Sequence, residues 1–215
     1  MRKLAKTVLP PELIERIQEW QQELTALVTA GTPVPDGLRT RYRHPDLKNP
    51  LLAETFGKCA YCESKVTAVY PGDVEHILPK TARPDLTFDY ANLTLACFIC
   101  NNRKGDYYNV AQPLLHPYED DPGEHLVAAG PLIKHRAGAT KGHLTETMLQ
   151  LNRTGLVERR RDRIEGIMAL ADLYVNEPIG PLKAILREQL LEETDKSKEY
   201  SFAVAAFISV ICDLE

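Results

Sequence analysis

Two Cys-x-x-Cys pairs, Cys59/Cys62 and Cys97/Cys100, constrain this chain more than any other feature of its 215 residues. Thiolates are soft ligands suited to Zn²⁺, and each pair offers two of them from one tight turn. Together they have the form of a closed tetrahedral site, with four protein ligands and no open position, whose role is to staple two segments of chain. A lone Cys-x-x-Cys can be a thioredoxin-type redox site, but a second pair and the lack of a βαβ pattern argue against that here. The fifth cysteine, Cys212, stands apart, so no disulfide framework is expected and a reducing, cytoplasmic compartment follows.

Between and just after the pairs lie Asp73-Val-Glu75-His76-Ile-Leu-Pro79-Lys80, Asn92 and Asn101-Asn102-Arg103-Lys104-Gly105. A carboxylate beside a histidine, with amide oxygens nearby, has the makings of metal-assisted hydrolysis. A neutral imidazole with a pKa near 6.5 takes a proton from water at neutral pH. A hard carboxylate and an amide oxygen suit Mg²⁺ or Mn²⁺ better than a second zinc. Adjacent strand residues point to opposite faces, so Glu75 and His76 share a site only if the strand distorts or ends there, and Pro79 supplies an ending.

Glu75-His76, Asn92 and Cys100-Asn101-x-x-Lys104 resemble the His-Asn-His (HNH) endonuclease motif, whose fold is a ββα-metal finger. The resemblance implies that His76 is the general base and that Glu75 and Asn101 hold a catalytic Mg²⁺ or Mn²⁺. It makes Asn92 the residue that ties down the loop between the strands, and Cys59, Cys62, Cys97 and Cys100 the ligands of a structural Zn²⁺. Asp73, on the face of Glu75, is the alternative ligand and Glu63 a weaker one. Asn102 competes with Asn101, and the Asn-x-x-Lys spacing favours Asn101. Lys80, Arg103 and Lys104 are candidates for nucleic-acid phosphate contacts, against a plain solvated reading. Farther along, His116-Pro117-x-Glu-Asp120-Asp121-Pro122, His125-Leu126 and Leu151-Asn152-Arg153-x-x-Leu156-Val157 narrow the likeness. With the cysteine and Glu-His segments they resemble the PtuB-like HNH nucleases of Septu anti-phage systems and of some retron systems, over about residues 57–165. That implies antiviral defence, an ABC-type ATPase partner (PtuA-like), a nucleic-acid substrate with DNA ahead of RNA, and a supporting role for His116 and His125.

The net charge of -4 argues against indiscriminate coating of DNA but leaves room for one basic face. The start of the chain is cut by Pro10-Pro11 before any apolar leader develops, and no run has the length of a membrane span. The rival class is a non-catalytic Cys₄ zinc-finger module that presents Arg103, Lys104 and nearby arginines to nucleic acid or protein. Such a binder has no need of Glu75-His76 beside a phosphate.

The expected architecture is α+β, a zinc-stapled ββα-metal (HNH) nuclease module flanked by helices at both ends. Residues 1–56 form an N-terminal helical segment, with an amphipathic helix over 11–30 that carries Leu13, Ile17, Trp20 and Leu24. Residues 31–50 read as a connection in which Arg39, Arg41 and Arg43 can track phosphates, followed by a short helix to Phe56. Residues 57–150 form the nuclease module. It has a hairpin over 66–78 turned at Pro71-Gly72-Asp73, a strand over 92–96, a short helix, and a loop-rich extension from 106. Residues 151–215 form a C-terminal helical region of three helices. The last of these, from Ser201, is apolar almost all round. It is expected to pack one face on its neighbours and part of the other on a partner or on a second copy, giving a homo-oligomer. His44, His135 and His143 read as surface or structural.

Overall fold

The computed structural model describes residues 1–68 and 70–214. Helix α1 (Pro11–Thr29) opens on a proline, which loses nothing there because its missing N–H would be unpaired. It buries Leu13, Ile17 and Leu24, while Ile14 and Val28 at the edge of the stripe stay exposed. Trp20 meets Phe88 edge-on, with ring centroids 5.9 Å apart. The supposed connection is more structured than its prolines imply: α2 (Asp36–Arg39), a 3-10 turn over Arg41–Arg43 and α3 (Pro45–Glu54) follow one another. His44 Nδ1 caps α3 by accepting from the Asp46 amide, so the helix starts at Pro45 and contains Pro50. Its Leu47 and Leu51 are fully buried.

Strand β1 (Asp73–His76) pairs antiparallel with β2 (Leu93–Ala96), with Glu75 opposite Thr94 and His76 opposite Leu93. Helix α4 (Phe98–Lys104) completes a ββα unit. The hairpin expected over 66–78 does not form, and its Val69 lies outside the described residues. Val66 instead donates its amide to the Gly57 carbonyl, and Lys58 bridges Lys65, closing a loop around the first cysteine pair. Gly72 takes the left-handed φ of +73° just before β1. A Cβ there would meet Leu95 Cδ1 at 2.9 Å, so this residue packs on β2.

The extension is also ordered into elements. Helix α5 (Pro122–His125) leads into β3 (Leu126–Ala129), which pairs antiparallel with β4 (Leu132–His135) and is followed by α6 (Thr140–Met148). Gly142 on α6 packs so closely that a Cβ would come 2.2 Å from the His125 carbonyl oxygen. The three C-terminal helices are α7 (Thr154–Asn176), α8 (Pro181–Glu193) and α9 (Ser201–Cys212).

One apolar cluster runs from Leu47 and Leu51 through Phe88, Leu93 and Leu95 to Leu126, Leu149 and Leu151. A second gathers Ile167, Leu190, Val204, Ile208 and Cys212 among the C-terminal helices. Helix α9 buries Ala203, Val204, Ile208 and Cys212 but exposes Val210 and Ile211. Among the described residues no helix is long and apolar enough to cross a membrane.

Candidate active site and metal centre

The four cysteines converge. Their Sγ atoms all lie within 4.8 Å of one another, with Cys62 and Cys97 3.9 Å apart. A zinc ion with Zn–S bonds of ~2.3 Å holds its sulfurs roughly 3.8 Å apart, whereas a disulfide needs about 2 Å. The donor set therefore fits a soft tetrahedral ion and not two cystines. Cys97 also caps α4, its sulfur accepting from the Cys100 amide at 3.4 Å. Arg153, at the start of α7, aims its guanidinium at the same sulfurs, 3.8 Å from Cys97 and 3.7 Å from Cys100. Sequence reasoning missed this residue, although Leu151-Asn152-Arg153 was noticed as a string. The structure gives that string a mechanism. Asn152 grips β4 through the amide and the carbonyl of Ile133, and Arg153 then covers the thiolates.

One residue beyond Cys100, Asn101 faces a cleft of about 440 Å³ that is also lined by Asp73, Glu75 and His76. β1 ends at His76, and all four of its residues border the cleft, so strand alternation does not keep Glu75 and His76 apart. Asn101 Nδ2 donates to Asp73 Oδ2 at 3.0 Å, so the alternative ligand Asp73 is the carboxylate in contact with Asn101. The Asn101 amide oxygen has no protein partner among the described residues. Glu75 is buried, which raises its carboxyl pKa, while the Lys104 ammonium 2.7 Å from Oε1 opposes that rise. Lys104 also donates to the His76 carbonyl at 2.8 Å. Expected at a phosphate or in solvent, Lys104 is instead only 4% exposed and acts as the internal counterion of Glu75. Burying two charges is tolerable only when they are paired, and that is what draws the lysine inward. The oxygens of Asp73, Glu75 and Asn101 form a hard donor set, which fits Mg²⁺ or Mn²⁺.

The His76 ring is held by the inter-strand loop. Its Nε2 lies 2.9 Å from the Thr87 carbonyl oxygen, which can only accept. The ring proton therefore sits on Nε2, and Nδ1 keeps its lone pair. Burial lowers the imidazole pKa to about 4, so the ring is neutral at physiological pH. Asn92 fastens the same loop: Oδ1 accepts from the Leu78 amide at 2.8 Å, and Nδ2 donates to the Leu78 and Leu86 carbonyls. It is buried and borders no part of the cleft, so it acts by position rather than by contact with reacting atoms.

Other candidates fall elsewhere. Glu63 is buried away from the cleft, accepting from Ser201 Oγ at 3.1 Å and from the Met1 amine at 2.8 Å. Asn102 and Lys80 line the cleft, and Arg103 is exposed on α4. His116 and His125 do not line it. His116 Nδ1 accepts from the Tyr118 and Glu119 amides, and this turn sends the Tyr118 hydroxyl to Thr94 on β2 at 2.9 Å. Of the three alternating arginines, Arg41 pairs with Glu23 and Arg39 with the Val34 carbonyl, which leaves Arg43 at the cleft.

Residues 59–107, which hold all four cysteines and the cleft residues from Asp73 to Lys104, match the family model for HNH endonuclease. The chain is 29% identical over 180 residues to the Septu protein PtuB of Bacillus thuringiensis, covering 76% of this chain and 68% of the relative. It is 28% identical over 200 residues to the Septu protein PtuB of Bacillus mycoides, covering 79% and 67%. The cysteine cluster and the cleft residues Asp73, Glu75, His76 and Asn101 thus lie together within an HNH endonuclease match, in a chain similar to Septu PtuB proteins over most of its length.

Proposed function

We propose that this chain is a divalent-metal-dependent HNH endonuclease that hydrolyses nucleic-acid phosphodiester bonds, DNA ahead of RNA, as the nuclease of a Septu-type anti-phage system. The observation that carries the reading is His76, neutral, with Nε2 committed to Thr87 and Nδ1 left free of protein partners among the described residues, in a cleft that Asp73, Glu75 and Asn101 also line. His76 Nδ1 takes a proton from a water, whose oxygen attacks phosphorus in line. The P–O3′ bond breaks, leaving a 5′ phosphate and, once protonated, a 3′ hydroxyl. Asp73, Glu75 and Asn101 would hold the Mg²⁺ or Mn²⁺, which supplies positive charge for the phosphate and the departing oxygen. Lys104 keeps β1 and α4 together, and Asn92 holds the loop that carries Thr87. Cys59, Cys62, Cys97 and Cys100 would hold a structural Zn²⁺ that fixes the start of α4 and so the position of Asn101. A reducing cytoplasm keeps these thiols available as ligands. Arg103 is a phosphate contact at the rim.

Residues 57–150 are taken as the nuclease module, with 1–56 and 151–215 as its helical flanks. The likeness to Septu nucleases points to an ABC-type ATPase partner. Exposed Leu182, Ile185, Val210 and Ile211 on α8 and α9 are where we place that contact, or the contact with a second copy. The test is cleavage of plasmid DNA and of RNA by the purified chain, alone and with the ATPase, in Mg²⁺ or Mn²⁺ and in chelator. Chelator-sensitive cutting that His76→Ala abolishes supports the reading. Cutting at an unchanged rate by His76→Ala refutes it.

A further inference from the structure

One wall of the cleft is a stack of a cation, an aromatic ring and a second cation that the mechanism above does not use. Tyr42, in the 3-10 turn ahead of α3, is buried with its ring edge-on to His76, centroids 4.6 Å apart. The Arg43 guanidinium lies 5.3 Å from the Tyr42 centroid and the Lys80 ammonium 4.8 Å. Lys80 Nζ is also 3.4 Å from the Tyr42 hydroxyl. Arg43 and Lys80 both border the cleft. Some cations of this chain are matched by carboxylates, as in Arg16–Asp46, Arg41–Glu23, Lys141–Asp120 and Arg163–Glu193. No carboxylate among the described residues pairs with Arg43 or Lys80, even though Asp73 and Glu75 border the same cleft. Those two acids have partners of their own, Asp73 in Asn101 and the Tyr70 hydroxyl, Glu75 in Lys104. The cleft therefore holds both oxygen donors and two cations that no carboxylate among the described residues pairs.

Two like charges anchored to one ring repel each other, and the ring face attracts both. What relieves the repulsion is an anion between or beside them. We propose that Arg43 and Lys80, held on Tyr42, form a binding subsite for the phosphodiester next to the scissile one, gripping the substrate strand on the His76 side of the cleft. The subsite rests on the nuclease reading for the direction in which the strand runs. Arg43 donates a planar fork and Lys80 a point charge, and two such contacts hold a backbone in register without reading its bases.

The experiment measures binding in the absence of cleavage. The full chain carrying His76→Ala is titrated in EDTA against a fluorescein-labelled oligodeoxynucleotide, single-stranded and duplex, at several KCl concentrations. Each phosphate contact contributes about 0.7–0.9 to the slope of log K against log salt. Adding Arg43→Gln or Lys80→Gln should weaken binding several-fold and lower that slope by roughly one, and the pair together by roughly two. Arg41→Gln, already matched by Glu23, should leave the slope unchanged. A purely structural role for Arg43 and Lys80 would move the melting temperature and not the salt slope. An unchanged slope in the double variant overturns the subsite, as does the absence of any oligonucleotide binding by the unsubstituted chain. If the slope falls as expected while the unsubstituted chain cuts nothing in Mg²⁺ or Mn²⁺, the subsite stands and the nuclease reading falls.

Discussion

Cys100 and Asn101 are neighbours on one short helix, yet they belong to two sites of opposite character. Cys100 looks into a closed cluster of soft donors, where Arg153 covers two of the four sulfurs. Asn101, about 100° further round the helix, looks into an open cleft of hard oxygens that Arg43 and Lys80 also line. On the proposed reading one helix start would serve two metals. Softness and enclosure would make the first ion permanent, and oxygen donors open to solvent would make the second exchangeable.

Substitutions at and near this junction are the sharpest way to break the comparison. Cys100→Ser should lose both zinc and fold, because binding energy at a structural zinc site is folding energy. His76→Ala should cut cleavage by roughly 10²–10⁴-fold while keeping its zinc and a near-normal melting curve. Elemental analysis, circular dichroism and a cleavage assay separate the two, and equal unfolding in both variants would mean the sites are one. Metal removal draws the same line: brief EDTA should stop cleavage with zinc retained, and Mg²⁺ or Mn²⁺ should restore it without refolding. If recovery requires zinc and a refolding step, the assignment of permanent and exchangeable ions is reversed.

Subtler effects sharpen the picture on the cysteine side. Arg153→Met removes the N–H···S contacts and should weaken zinc affinity by about tenfold or more, seen as faster transfer to a chromophoric chelator. A shifted sulfur-to-metal absorption band in the cobalt-substituted protein would separate this from loosened packing, and unchanged spectra and release rates would leave Arg153 as a helix cap. Acid gives the smallest effect. Burial pushes the Glu146 carboxyl pKa up, but bonds from Lys134 and His135 outweigh it and bring the group down to about 2. Its usual value is about 4.3, so its contribution is complete above that pH and fades as the pH falls toward 2. Glu146 also accepts from Asn152, next to Arg153. The melting-temperature advantage over Glu146→Gln should therefore shrink between pH 5 and 3, and a constant difference would show that the ion pairs add nothing.

The parts readable from sequence are those written in short spacings. The cysteine pairs, the Glu-His doublet and the Asn-x-x-Lys run each fit within a few residues, and local geometry does the rest. The sequence also marks Pro71-Gly72-Asp73 as a turn; Gly72 has the left-handed φ such a turn uses, but Asp73 already belongs to β1. The error lay in what precedes it, since Val66 had a better partner in Gly57, closing the cysteine loop, than in β1. Lys104 and Arg153 were misjudged or missed for a common reason. Whether a cation faces water or a buried anion depends on a group far away in sequence, Glu75 for one and two thiolates for the other. Arg43 could be singled out from Arg39 and Arg41 only once Glu23 and Val34 were seen to occupy those two.

The clasp formed by Asn92 has a consequence for engineering. Asn92 grips Leu78 and Leu86, Thr87 holds His76, and Gln21 of α1 reaches the same loop at Pro84 and Phe88. These loop tethers all leave from Leu78 and from residues 84–88, while Thr81 and Ala82 are exposed. Extra residues spliced in between Thr81 and Ala82 would open the turn in which the Ala82 and Arg83 amides donate to Pro79 but would touch none of those tethers, and loop closure grows only slowly more costly with length. That point is a natural port for grafting a reporter, an affinity tag or a sequence-reading peptide within reach of the cleft.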